Sequence, residues 1–186
     1  MRKLACLALI CFGVFALAQN GGNQKINIHG WEVVNDQLVW SQVYFAESRS
    51  IDDFVKGLQF LARRSSVLTL SEKDIQTMSG TFSNLSLKFE EYGYSMIDTP
   101  FLISRARHSG KIEVEIKEGR YKVVVSDVVS FLNTRQKQGS IYKWNEDFLD
   151  RKGQIKKEMI ETLQLADINF TQSFDIKAQL ADIKKP

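Results

Sequence analysis

Cysteine is almost missing from this chain, and both copies, Cys6 and Cys11, fall within its first eighteen residues. That opening stretch has the order of a secretory signal: Arg2 and Lys3, an apolar run from Leu4 to Leu17, and small residues up to Ala18. The run of fourteen residues is shorter than the ~20 that a helix needs to cross a bilayer, so a cleaved leader is expected rather than a retained anchor. Acylation at Cys11 is disfavoured because the residue before it, Ile10, is bulkier than the small residue such processing uses. Cleavage after Ala18 leaves an exported chain without a thiol, which excludes disulfides and cysteine nucleophiles.

Histidine is as scarce. His29 and His108 stand far apart with no Cys or carboxylate at ligand spacing, so no metal site is expected and both read as surface residues. Neither G-x-S-x-G nor either phosphate-cradling glycine motif occurs, so a hydrolytic triad and nucleotide use have no support. Excess charge is lacking too. Losing Arg2 and Lys3 takes the basic count from 25 to 23 against 22 acidic residues, and the formal charge from +3 to +1, which gives no reason to expect nucleic acid as a partner.

What is present is alternation. In KIEVEIKEGRYKVVVSDVVSF, Lys111 to Phe131, a two-residue turn at Glu118-Gly119 sets Ile116 opposite Tyr121, Val114 opposite Val123 and Ile112 opposite Val125 on one side. Glu115 then faces Lys122 and Lys117 faces Arg120 on the other, and a slip of one residue would reverse both faces. One side is apolar throughout and has to be covered.

Before this hairpin, Trp31 to Val34 and Gln37 to Phe45 are expected to pair around Asn35-Asp36, with Trp31 opposite Trp40. Ser50 reads as a helix N-cap with Asp52 and Asp53 in the first turn, and Ile51, Phe54, Val55, Leu58 and Leu61 form a stripe ending at Arg63-Arg64. Gly57 costs that helix ~1 kcal/mol relative to alanine and suits a close approach. Val67 to Ile75 fits either a short turn or the lead into a strand; a strand is expected from Thr81 to about Tyr92, with Leu85, Leu87 and Phe89 on one side. Asn133 to Ser140 reads as a polar loop. A second helix is expected to carry Phe148, Ile155, Met159, Leu163 and Ala166, secure to Leu165.

The fold class that follows is α+β, an antiparallel sheet with two helices on one face in the order strand, helix, strands, helix. The domain plan is a signal peptide over 1–18, a flexible segment over 19–30, one domain over 31–166 and a C-terminal extension over 167–186.

Three stretches carry a likeness: Ser41 to Phe45 leading to the helix Ile51 to Arg64, the segment TFSNLSLKFEEY, and KEGRYKVVVSDV at Lys117 to Val128. Over Val39 to Val129, and again over Phe148 to Leu165, the chain resembles an uncharacterised secreted bacterial domain family with a TATA-binding-protein-like fold. Glu118, Gly119, Arg120, Tyr121 and Lys122 match that family's acidic, Gly, Arg, aromatic and basic order. The resemblance implies the fold and export, and brings no activity, cofactor or catalytic residue with it.

The remaining chemistry is a basic group. Arg105, Arg107 and His108, with Arg120 and Lys122 in the hairpin, are candidate contacts for a partner or an anion, against the simpler role of a charged sheet face. The expectation is a non-enzymatic domain, without cofactor, in the periplasm or outside the cell, that binds an envelope protein, peptide or glycan. The alternative is a carrier holding a small molecule or lipid between sheet and helix.

Overall fold

A computed structural model describes residues 29–134 and 137–182; the leader and both cysteines lie outside the described residues. The hairpin is as the alternation requires. Strands β5 (Ala106–Lys117) and β6 (Arg120–Thr134) turn at Glu118-Gly119, and Ile116 pairs with Tyr121, Val114 with Val123 and Ile112 with Val125. Gly119 has φ +73°, the left-handed geometry that a tight turn demands and glycine adopts without strain. The apolar row is closed to water: Ile112, Val114, Ile116, Val123 and Val125 are all buried.

Strands β1 (Trp31–Val34) and β2 (Gln37–Phe45) turn at Asn35-Asp36, both with positive φ, and Trp31 pairs with Trp40 as expected. Helix α1 (Ile51–Arg64) starts at Ser50 with a reciprocal cap: Asp53 N donates to Ser50 Oγ at 3.2 Å, and Ser50 N donates to Asp53 Oδ2 at 3.2 Å. Ser50→Ala removes one arm of that cap, and thermal melting should report a loss of about 1 kcal/mol. An unchanged midpoint would mean that the helix start is held by tertiary contacts alone.

Strands β3 (Leu68–Asp74) and β4 (Thr77–Leu85) add a further hairpin, so the ambiguous Val67 to Ile75 stretch is mostly strand. The expected strand to Tyr92 stops early. Asn84 takes φ +58° and pairing becomes irregular between Phe82 and Leu85. Leu87 and Phe89 still point inward, because Asn169 replaces the missing neighbour strand: its Oδ1 accepts from Lys88 N at 2.7 Å and its Nδ2 donates to Lys88 O at 2.8 Å. A short 3-10 turn, Glu90–Tyr92, and helix α2 (Phe101–Arg105) lead into β5.

Two further expectations are corrected. The polar stretch Asn133 to Ser140 is not a loop: β6 runs to Thr134 and β7 (Lys137–Lys143) returns along it. The second helix does not begin near Phe148. Helix α3 (Trp144–Asp147) ends there, Leu149 bridges Ile155 across a turn in which Gly153 has φ +71°, and helix α4 spans Ile160–Ser173. Phe148 is buried from a loop that mimics helical spacing, and α4 continues well past Leu165.

The sheet order is β1-β2-β6-β5-β4-β3, with β7 continuing the β6 edge where β2 leaves it. The helices share one core on one face, which confirms the α+β class with helices on a single side of the sheet. Phe54 of α1 meets Tyr121 at 5.3 Å between ring centroids, while Phe170 of α4 meets Trp40 on β2 at 5.4 Å and Phe82 on β4 at 5.6 Å. Phe170 thus lies across the two strands between them. The stretch that the sequence set apart as an extension supplies Phe170, Phe174, Ile176 and Leu180 to this core, the last from helix α5 (Lys177–Asp182). An added Cβ at Gly57 would stand 2.9 Å from Ile176 Cδ1, so its bare backbone is what lets this segment lie against α1.

Candidate functional site

Strand alternation that buries one row of β5 and β6 sends the other row to the opposite face, where no helix lies among the described residues. The β2 register extends that face: Val43 stands beside Lys122 and Phe45 beside Arg120, while Glu115 and Lys117 flank them from β5. These six side chains line an open depression of about 230 Å³. Phe45 is 63% exposed, unusually bare for an aromatic side chain on a sheet.

Glu115 is the one acid in the lining. Lys117 Nζ sits 2.6 Å from its Oε1. That bond, followed by the Lys117 charge and the weaker fields of Lys122 and Arg120, holds its carboxyl below the ordinary carboxylate range. With Lys117 so occupied, Arg120 and Lys122 are left without a carboxylate at ion-pair distance among the described residues. Farther along the face, Lys111 pairs with Asp127 at 2.8 Å, where β6 bulges with Asp127 at φ +51°.

The five basic or imidazole positions singled out in the sequence do not converge. Arg120 and Lys122 belong to the depression. Arg107 pairs with Phe131 at the other end of β5, ten positions from Lys117, about 33 Å at the usual rise per residue. Arg105 ends α2 near Arg107, and both are exposed.

His108 faces the other way and is a correction, since it was expected at the surface. It is fully buried. Its Nδ1 lies 2.9 Å from Ser130 Oγ, which also accepts from Trp144 Nε1 at 2.6 Å. Burial, with the nearby Arg107 charge adding to it, pushes the imidazole down to about 4, although the Leu102 backbone lies close enough to oppose the shift; Nε2 itself closes no hydrogen bond. A serine beside a histidine at this distance has the outline of a nucleophile and its base. Ser130 is sealed from solvent and its oxygen is engaged by an indole, so the pair serves packing. His29 is exposed next to the Gly30 turn, and among the described residues no three His, Cys, Asp or Glu side chains converge as a cation site.

Aromatic rings pack between the sheet and the helices. Trp144 stacks on Phe148 at 4.5 Å and meets Trp31 at 5.3 Å, and Tyr44 stacks on Tyr121 at 4.8 Å. Their polar tips tie sheet to helix: Trp31 Nε1 donates to Leu163 O at 2.9 Å, Trp40 Nε1 to Asp167 Oδ1 at 2.7 Å, and Tyr121 OH to Phe174 O at 2.7 Å. Burial raises both tyrosine hydroxyls well above their ordinary value and raises the Asp167 carboxyl too, against the pull of the Trp40 N–H.

Solved structures share this architecture. A TBP-like protein from Parabacteroides distasonis superposes with a TM-score of 0.56 at 15% identity, over 85% of this chain and 100% of that one. A DUF4468 family protein from Bacteroides ovatus gives 0.53 at 13% identity, over 84% and 94%. No family profile matches the sequence, and no curated protein is similar to it.

Proposed function

We propose that this TBP-like fold serves as an exported, non-enzymatic binding domain that holds an envelope protein, peptide or glycan on the face of its sheet opposite the helices. The observation that carries the reading is the depression in which bare Phe45 and Val43 adjoin two cations with no carboxylate at ion-pair distance among the described residues. An aromatic side chain left in water beside desolvatable cations is the composition of a contact surface, where apolar area supplies affinity and charge supplies selection. The leader at 1–18 supports export. The aromatic packing between sheet and helices favours this reading over a carrier.

A photo-crosslinking residue in place of Phe45, compared with the same residue in place of Ile75 at the β3–β4 tip, tests this in bacterial envelope extract. Ile75 is 81% exposed, so it controls for mere accessibility. A discrete adduct at position 45 that position 75 does not give is the expected result. Equal labelling at both positions, or none at 45, would overturn the assignment of this face.

A further inference from the structure

Resting on that reading of the face, we infer that its occupant is an extended acidic peptide, with carboxylates at alternate residues and an apolar side chain following them. Arg120 and Lys122 are two apart on β6 and point the same way, about 6.6 Å from one to the next along the strand. Alternate side chains of an extended peptide have that same repeat, so a segment running along β6 sets one carboxylate over each cation. Phe45 lies beside Arg120 at the turn end of the row, and Val43 beside Lys122. A third same-side residue, one step past Arg120 at the turn end, reaches the exposed ring by leaning across from β6 towards β2.

Charge complementarity selects the class. The lining holds three cations against Glu115 alone, and with Lys117 paired to it Arg120 and Lys122 have no carboxylate at ion-pair distance among the described residues. A peptide carboxylate gains a charge-assisted bond at each, bidentate at the guanidinium. A basic partner would meet like charge. A neutral glycan would leave both cations desolvated without a counter-ion, which is costly. The apolar pair Val43 and Phe45, next to the charges rather than ringed by them, favours a peptide that alternates chemistry over a polyanion of uniform repeat.

The probe is a fluorescent peptide Glu-Ser-Glu-Ser-Phe, compared with Gln-Ser-Gln-Ser-Phe, with Glu-Ser-Glu-Ser-Ser and with an oligogalacturonate. The protein is used as the exported chain, as wild type, as R120S/K122S and as F45S, each shown folded by circular dichroism and melting. Wild type should bind the acidic peptide at least tenfold more tightly than its amide counterpart, and R120S/K122S should lose that advantage. F45S should weaken the peptide ending in Phe and leave the one ending in Ser unchanged. Rising salt should erode the acidic preference. Equal affinity for acid and amide peptides, unchanged binding by R120S/K122S, or preference for the oligogalacturonate would overturn the inference. If position 45 crosslinks an envelope component while the acidic peptide fails to bind, the face is a contact surface for a different chemistry. If neither occurs, both readings fall.

Discussion

Phe170→Ala should cost about 3–5 kcal/mol of folding stability, the range for deleting a large aromatic side chain from a closed core. Phe170 is fully buried and its ring meets Trp31 at 5.9 Å, Trp40 at 5.4 Å, Phe82 at 5.6 Å and Phe174 at 6.3 Å. Those neighbours come from β1, β2, β4 and the segment after α4, so no single element can shift to fill the hole. Trp31 and Trp40 are further fixed by their bonds to Leu163 O and Asp167 Oδ1 on the same helix, which resists collapse of the site. Phe131→Ala is the control: it truncates an aromatic of the same size on the face opposite the helices, 44% exposed, and should change stability by no more than about 0.5 kcal/mol. Urea melts of the two variants read the difference directly. A cost below about 1 kcal/mol at position 170 would mean that α4 does not seat on the sheet as described.

Where the sequence was readable, the determinants were local. Both two-residue turns bring their own backbone chemistry, in Gly119 and in Asn35-Asp36, and the flanking rows separate apolar from charged within a few positions. Helix α1 announces itself through Ser50, its first-turn acids and a single apolar stripe. Helix α4 is harder because it is buried on several sides: Thr162, Leu163, Leu165, Ala166, Asn169 and Phe170 all face protein, so no clean stripe marks its ends. The edge strands β3 and β7 carry polar residues that keep a sheet edge from pairing with other chains, and such residues left 67–75 open between turn and strand and made 133–140 read as loop. Asn169 holding the Lys88 backbone could not be read at all, since it joins positions 81 apart.

The candidate site was half legible. Arg120 and Lys122 followed from the hairpin register, but their apolar neighbours Val43 and Phe45 depend on β2 lying against β6, which nothing local to either strand declares. Grouping Arg105 and Arg107 with them treated closeness to the hairpin in sequence as closeness in space, although a strand of twelve residues separates its ends. For His108 a usable signal existed. Ile112, Val114 and Ile116 point inward, and carrying the same parity back through Gly110 puts His108 inward as well. The partner strand keeps step by inserting one extra residue at the Asp127 bulge, so the inward row of β6 moves from Val125 to Val128 and Ser130.

That buried imidazole should make the protein acid-labile over a defined interval. His108 is held at about 4 in the folded chain against an ordinary 6.5, so near neutral pH it is uncharged in both states and costs nothing. As pH falls through 6.5 the unfolded chain takes up a proton that the native chain refuses, and the balance moves towards unfolding until the native ring also protonates near 4. The gap corresponds to roughly 3 kcal/mol, present above pH 6.5 and lost between there and about pH 4. His108→Leu removes the titration while keeping an apolar filler beside Trp144, whose indole N–H still has Ser130 Oγ to donate to. The measurement is unfolding free energy by urea at pH 7.5, 6, 5 and 4 for wild type and variant. Wild type should fall more steeply, by about 3 kcal/mol over the interval, whatever offset the variant shows at pH 7.5. The exposed Asp74, Glu115 and Asp150 carboxyls, all held below their ordinary range, are common to both proteins and cancel in the difference, as does the raised Asp167, whose effect has the opposite sign. Parallel pH profiles would show that the His108 ring charges freely in the native protein, and the closed Ser130–His108–Trp144 cluster would then have to be open to water.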